Sequence, residues 1–199
     1  MVRALAFDGG RRATFDVPDS EENDARFGRP ATHRGERTAF PQVRVVALAE
    51  CGTHAITRAA LGPFTTAEPV IARELFGALG PGDLLMADRG FAGLDQWRAA
   101  SAGGADLLWR IKASAVLPVR QELPDGSYLS DIVAAHDHRR RTDPTVVRVI
   151  EYTLQDPGRP QHPAPYRLIT SILDHQAARQ QSWRPSTTSA GRSRPHWTS

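Results

Sequence analysis

Between residues 43 and 111 the apolar pattern alternates between strand and helix periods, and this alternation restricts the chain to a mixed α/β class. Val43 to Glu50 is a β-branched and aliphatic run that stops at Cys51-Gly52-Thr53. A second run follows from His54 to Leu61, so the pair predicts a hairpin. Thr65 and Glu68 have capping-box spacing, and Ile71, Leu75 and Leu79 recur every four residues until Gly80-Pro81-Gly82 stops the pattern. Asp83 to Ala87 then predicts a strand, Leu94 to Ala102 a helix and Leu107 to Ile111 another strand.

Beyond Lys112 the period shortens. Val116 to Glu122, Val146 to Leu154 and Tyr166 to Leu173 predict strands separated by turns such as Pro124-Asp125-Gly126, which together make a β-rich insertion. From about Gln176 the apolar periodicity ends. Ser182 to Ser199 consists largely of Ser, Thr, Arg and Pro, with too little apolar surface to offset its ordering entropy, so a disordered tail is expected. The resulting division is 1–112, 113–175 and 176–199.

With 199 residues and 40% apolar side chains the chain can bury one sizeable core. No apolar run approaches the roughly 18 to 20 residues that span a bilayer, and no secretory signal opens the chain, so a cytoplasmic protein without membrane contact is expected. The lone Cys51 excludes an internal disulfide and a multi-cysteine metal site. A net charge of +3 with a pI near 9.6 and clustered arginines is compatible with an anionic partner.

Asp88 stands directly after an apolar strand and before Arg89-Gly90-Phe91, which places a carboxylate at the carboxyl end of a sheet, where open α/β sheets bind ligands. Alone, such an aspartate is more often a cap for the following turn. Its surroundings add to it. Asp8-Gly9, Asp16-Val17-Pro18-Asp19, Phe27-Gly28-Arg29-Pro30, Ala39-Phe40-Pro41-Gln42, Glu50-Cys51-Gly52-Thr53, Ala87-Asp88-Arg89-Gly90-Phe91, Trp109-Arg110-Ile111-Lys112, Leu123-Pro124-Asp125-Gly126 and Arg148-Val149-Ile150-Glu151-Tyr152 follow one another in a definite order. That order and spacing closely resemble the DDE transposases of bacterial insertion sequences, in the IS-four branch. The resemblance runs from about residue 13 to residue 175.

The resemblance implies an RNase H-like mixed sheet flanked by helices, with a β-rich insertion after the second catalytic strand. It also implies two aspartates and a glutamate holding two magnesium ions. Two ions roughly 4 Å apart activate the attacking oxygen and stabilise the leaving oxygen at a phosphodiester, and carboxylates suit hard cations. By resemblance Asp88 is the second acid, catalytic and metal-binding. Asp8 is the candidate for the first, although Gly10-Arg11-Arg12 add three residues to the family's spacing. Either the loop has an insertion or Asp8 is a coincidence, and Arg11-Arg12 written CGA CGG contains GAC GG, an Asp-Gly pair in a shifted frame at the family's usual distance from Asp16.

The family's third acid lies on a helix with Tyr, two residues, Arg, three residues, Glu, six residues and Lys. No glutamate follows Glu151 in this chain. Ser182 to Ser199 nevertheless admits a codon choice that, read from its third base, gives LAALYHERWEIETALDE, so a frameshift near Gln180 is predicted. The expected consequence is impaired strand transfer. The N-terminal DNA-binding region of the family would lie upstream of Met1.

Arg110 and Lys112 alternate with Trp109 and Ile111 and should share one strand face. With Arg89 they are the candidate DNA contacts, beside the plainer readings of an exposed strand face and a salt bridge. His136-Asp137-His138-Arg139-Arg140-Arg141 is either a phosphate-contacting cluster or a solvated loop. His33 and His54 have no partner at metal-ligand spacing. Trp97 should pack on the sheet, and Asp16 and Asp19 should serve turns and caps.

Two functions follow. One is a DNA transposase acting on terminal repeats by metal-dependent cleavage and strand transfer, as a homodimer or with an intact transposase. The other is a non-catalytic fragment, a pseudogene product or a DNA-binding or dimerising inhibitor. A metal-dependent nuclease on the same fold is a third.

Overall fold

A computed structural model describes residues 1–6, 14–31, 35–134, 137, 141–153 and 166–177, with the backbone alone for residues 5 and 6. Asp8, His33, His136, His138, Arg139, Arg140 and the segment 178–199 lie outside the described residues.

The expected hairpin is β3 (Gln42–Glu50) and β4 (Ile56–Pro63), paired antiparallel from Val43↔Pro63 to Ala49↔Ile56. On the other side of β3 lie two short strands in succession. β1 (Val2–Ala6) pairs antiparallel with Ala47 to Glu50, and β2 (Thr14–Asp16) with Gln42 to Arg44. Between these short strands and β3, α1 (Glu21–Phe27) is capped by Ser20, whose Oγ accepts from the Asn23 amide at 3.2 Å. Asp19 next to it pairs with Arg29, and Asp16 accepts from Gln42 Nε2 at 2.9 Å.

After β4 the chain crosses through α2 (Glu68–Phe76) to β5 (Leu84–Ala87), then through α3 (Leu94–Ser101) to β6 (Asp106–Ile111). β1, β5 and β6 run parallel at the centre. Parallel neighbours need crossovers; β5 and β6 are joined through α3, whereas the chain between β1 and β5 passes through β2, α1, β3, β4 and α2. The anticipated Thr65 capping box does not form. Ala67 occupies the N-cap without a side-chain bond, and Pro69 stands in the first turn. Proline presets φ where an unbonded N–H costs nothing, so it fixes the helix start instead of a hydroxyl.

The β-rich half continues the same sheet. β10 (Tyr166–Thr170) pairs antiparallel with β6, and β9 (Thr145–Tyr152), β8 (Tyr128–Ile132) and β7 (Gln121–Glu122) extend the edge, giving ten strands among the described residues. The strand expected from Val116 shrinks to Gln121–Glu122. Pro118 cannot donate to a ladder and Val116 is 81% exposed. Instead Arg167 holds the segment down, its Nη1 donating to the Ala115 carbonyl at 2.7 Å and to the Ala113 carbonyl at 3.1 Å.

α2 and α3 touch each other and pack on one face of the sheet. Ile71, Leu75, Phe76 and Trp97 meet Val46, Leu48, Leu85, Leu107 and Trp109 there, and this is the core. Leu79, beyond the last turn of α2, is buried as its period requires. Among the described residues no helix is long and apolar enough to cross a membrane.

Candidate nucleic-acid interface

β5 is short because its apolar run ends at Ala87. Asp88 leaves it in an extended conformation (φ −80°, ψ 168°), and its Oδ1 accepts from the Arg89 amide at 2.7 Å, capping a 3₁₀ turn over Arg89–Phe91. Phe91 at the end of the turn is buried, which anchors the corner and leaves Asp88, Arg89 and Gly90 exposed. The capping role is thus occupied, and the carboxylate still faces solvent.

The parallel register aligns Ala87 with Trp109 on β6. One residue further on, Asp88 stands level with Arg110, on the face of the sheet opposite to the one that Trp109 and Ile111 bury. Lys112 follows the end of β6, so the strand alternation does not fix its side of the sheet. On the other flank β1 aligns Ala4 with Met86, so Ala6 is the residue level with Asp88. Asp8 comes two residues later, outside the described residues.

The chain closes this corner with aromatic rings that sequence reasoning did not single out. The Arg110 guanidinium carbon lies 4.6 Å from the centroid of Tyr166, and Tyr166 stacks on Tyr152 with centroids 5.4 Å apart and planes 18° from parallel. Burial raises the Tyr152 phenol above its ordinary pKa, against the opposing pull of the Arg110 charge. The only sequence signal was Tyr at the end of one strand pattern and at the start of the next, which in an antiparallel pair makes them partners.

Ion pairs hold many of the arginines, although Arg26, Arg44, Arg58 and Arg73, like Arg89 and Arg110, form none among the described residues. Arg3 pairs with Asp83, Arg29 with Asp19 and Asp24, Arg98 with Asp143, Arg120 and Arg141 with Asp131, Arg148 with Asp125, and Arg167 with Glu151. The salt bridge considered for Arg89 is not formed. The side chains of Arg89, Arg110 and Lys112 make no ion pair or hydrogen bond among the described residues. Arg89 and Lys112 also border a cavity of about 560 Å³, lined by Leu94, Trp97, Trp109 and Ile132, on the helix side of the sheet. Arg110 thus stands level with Asp88 on one face of the sheet, while Arg89 and Lys112 border the cavity on the other. The basic cluster near His136 is not part of this corner in its described members: Arg141 pairs with Asp131, and Asp137 accepts from Thr142.

Among the described residues no three His, Cys, Asp or Glu side chains stand close enough to hold a metal ion together. Asp88 is a donor of the kind magnesium takes, but one carboxylate does not make a site for two ions. The described donor set does not fit the pair.

The curated homologues of this chain are insertion-sequence transposases. It is 36% identical over 107 residues to the transposase InsG of insertion sequence element IS4 from Escherichia coli, an alignment covering 54% of this chain and 23% of that protein. It is 26% identical over 112 residues to InsZ of Escherichia coli, which also carries the name transposase, covering 56% of this chain and 36% of InsZ. The chain thus spans less than half the length of either relative. No family model matches. Among solved structures, the piggyBac transposase synaptic complex with hairpin DNA aligns with 87% of this chain and 33% of its own, at a TM-score of 0.41 and 10% identity.

Proposed function

We propose that this chain is the catalytic-domain portion of an insertion-sequence transposase, an RNase H-like domain acting in the cytoplasm on the terminal repeats of a DNA element. The observation that carries the reading is Asp88 at the exposed end of β5, level in the parallel register with Arg110, which has no ion pair among the described residues. An arginine of this kind suits a phosphate, and an acid level with it suits chemistry at a phosphodiester. The mixed sheet with its crossover helices on one face supports the fold, and the homology to InsG supports the class. In this reading residues 1–112 carry the core and 113–175 the β-rich extension. Asp88 is a catalytic and metal-binding acid, and Asp8 its partner.

A second reading, a transposase fragment that binds DNA or pairs with an intact transposase without cutting, is favoured by one observation. Asp88 already caps its turn and belongs to no group of three metal-ligating side chains among the described residues. Strand transfer is accordingly expected to be impaired. Incubation with terminal-repeat duplexes and magnesium separates the readings. Cleavage that Asp88→Asn abolishes supports the transposase; salt-dependent binding without cleavage supports the fragment; absence of both sinks the DNA reading altogether.

A further inference from the structure

We infer that Tyr166, backed by Tyr152, is a positioning residue that holds the Arg110 guanidinium flat so that its donor edge is presented to a DNA phosphate beside Asp88. The inference rests on the DNA reading above. Arg110 and Tyr166 are diagonal neighbours across the β6 and β10 pair, since Arg110 lies opposite Leu168 and Tyr166 two residues away. That spacing is within reach of a long side chain. Arg110 uses it, with its guanidinium carbon 4.6 Å from the ring centroid.

Tyr166 in turn lies directly opposite Tyr152 on β9, and the two rings stack at 5.4 Å. The three groups form one column across three adjacent strands, on the face of the sheet that Asp88 shares. All three are half-buried, so the column has a fixed base and an open side.

The chemistry of the column explains why arginine stands at its end. A guanidinium can lie flat over a ring and still direct its in-plane N–H groups outward, where they match two phosphate oxygens; an ammonium has no plane to stack and acts as a point charge. Stacking also removes the rotamer freedom that an unpaired arginine would otherwise lose on binding. Arg110 has no acidic partner among the described residues to compete for those donors. Without Tyr166 the same charge would remain on β6, but its plane would be free to turn.

The test is binding of a fluorescently labelled duplex by the full chain across a salt series, with folding of each variant checked by circular dichroism. Taking away one neutralised phosphate lowers the slope of log Kobs against log salt by about 0.9. Arg110→Ala is expected to lower the slope by that amount, and Tyr166→Leu by the same amount for the same phosphate, so the double variant falls no further than either. Tyr166→Phe keeps the ring and retains the wild-type slope, while Arg110→Lys keeps the charge and binds more weakly. If folded Tyr166→Leu binds with wild-type affinity and slope while Arg110→Ala does not, the positioning role is wrong and the DNA reading survives. If Arg110→Ala changes nothing, or the two effects add in the double variant, the inference is likewise overturned. Should the wild-type chain show no salt-dependent binding, the DNA reading falls and this inference falls with it.

Discussion

Trp97 on α3 and Trp109 on β6 meet edge to face, with ring centroids 5.2 Å apart and planes at 78°. This contact joins the second crossover helix to the strand whose other face carries Arg110. Both rings are buried in the core, so the pair sets how far β6 can shift under the candidate interface. Trp109→Ala removes a fully buried indole and leaves a void the sheet cannot close. A loss of about 3 to 5 kcal/mol is expected in urea denaturation. Trp109→Phe should recover more than half of it.

Two glycines mark where the helices press closest, and they should respond differently to a methyl group. A Cβ on Gly62 would lie 2.7 Å from Ile71 Cδ1 and 2.8 Å from its Cγ1, both side-chain atoms that a substitution can remove. A Cβ on Gly103 would lie 2.5 Å from the Leu79 carbonyl oxygen, which is backbone. Both Gly→Ala variants should lose about 1 to 3 kcal/mol. In an Ile71→Ala background, which removes both atoms, Gly62→Ala should cost much less than in the wild type, while nothing local rescues Gly103→Ala. Thermal melts decide this, and an equal cost of Gly62→Ala in both backgrounds would refute the packing account.

Arg148 has no solvent exposure, donates from Nε to Ser127 Oγ at 2.7 Å and pairs with Asp125. Removing the acid strands a buried charge, so Asp125→Ala should cost about 3 to 5 kcal/mol. Replacing the arginine by Met removes the desolvation penalty together with the pair, and should cost less than Asp125→Ala. Chemical denaturation of both variants checks the order; the reverse order would mean that the guanidinium finds water or another acceptor.

The difference between what the sequence revealed and what it hid follows from the range of the signals. The hairpin β3–β4 and the elements from α2 to β6 are local patterns with definite stops, and their bounds lie within a few residues of expectation. Val2 to Ala6 carries no strand signal of its own, because five residues lack a periodic window and its order comes from partners on β3 and β5 far along the chain. The acid and the cations of the corner were legible because they border a strong strand pattern. The Tyr166 and Tyr152 column was not, since it depends on the pairing of β6, β10 and β9.

Arg98 ties α3 to the entry of β9, with Nη1 2.5 Å from Asp143 Oδ2 and Nε 3.2 Å from Thr145 Oγ1. The hydrogen bond from Arg98, then its charge, holds the Asp143 carboxyl below the ordinary 3.8. A folded-state pKa that is depressed contributes stability above the unfolded value, and that contribution disappears as pH falls through the folded value. The contribution is therefore complete at neutral pH and lost below about 3.8. Carboxyl titration by NMR should place Asp143 below 3.8 in the wild type and return it towards that value in Arg98→Leu. An unchanged titration in the variant would show that the pair does not form in solution.

Asp88 combines two roles that one pair of substitutions can separate. Its Oδ1 accepts from the Arg89 amide at 2.7 Å, a cap that asparagine can also supply and alanine cannot. Asp88→Ala should therefore lose about 1 kcal/mol of stability, and Asp88→Asn only a few tenths. Affinity for duplex DNA should behave differently, because both substitutions remove a negative charge next to Arg89 and level with Arg110. Each is expected to bind duplex DNA more tightly at low salt than the wild type, and the gain should shrink as salt screens the site. If only Asp88→Ala alters binding, the loop geometry and not the carboxylate's charge governs the interface. If both tighten binding while Asp88→Asn also abolishes magnesium-dependent cleavage, the acid serves the reaction at the expense of affinity, as expected of a group that sits where the phosphodiester must come.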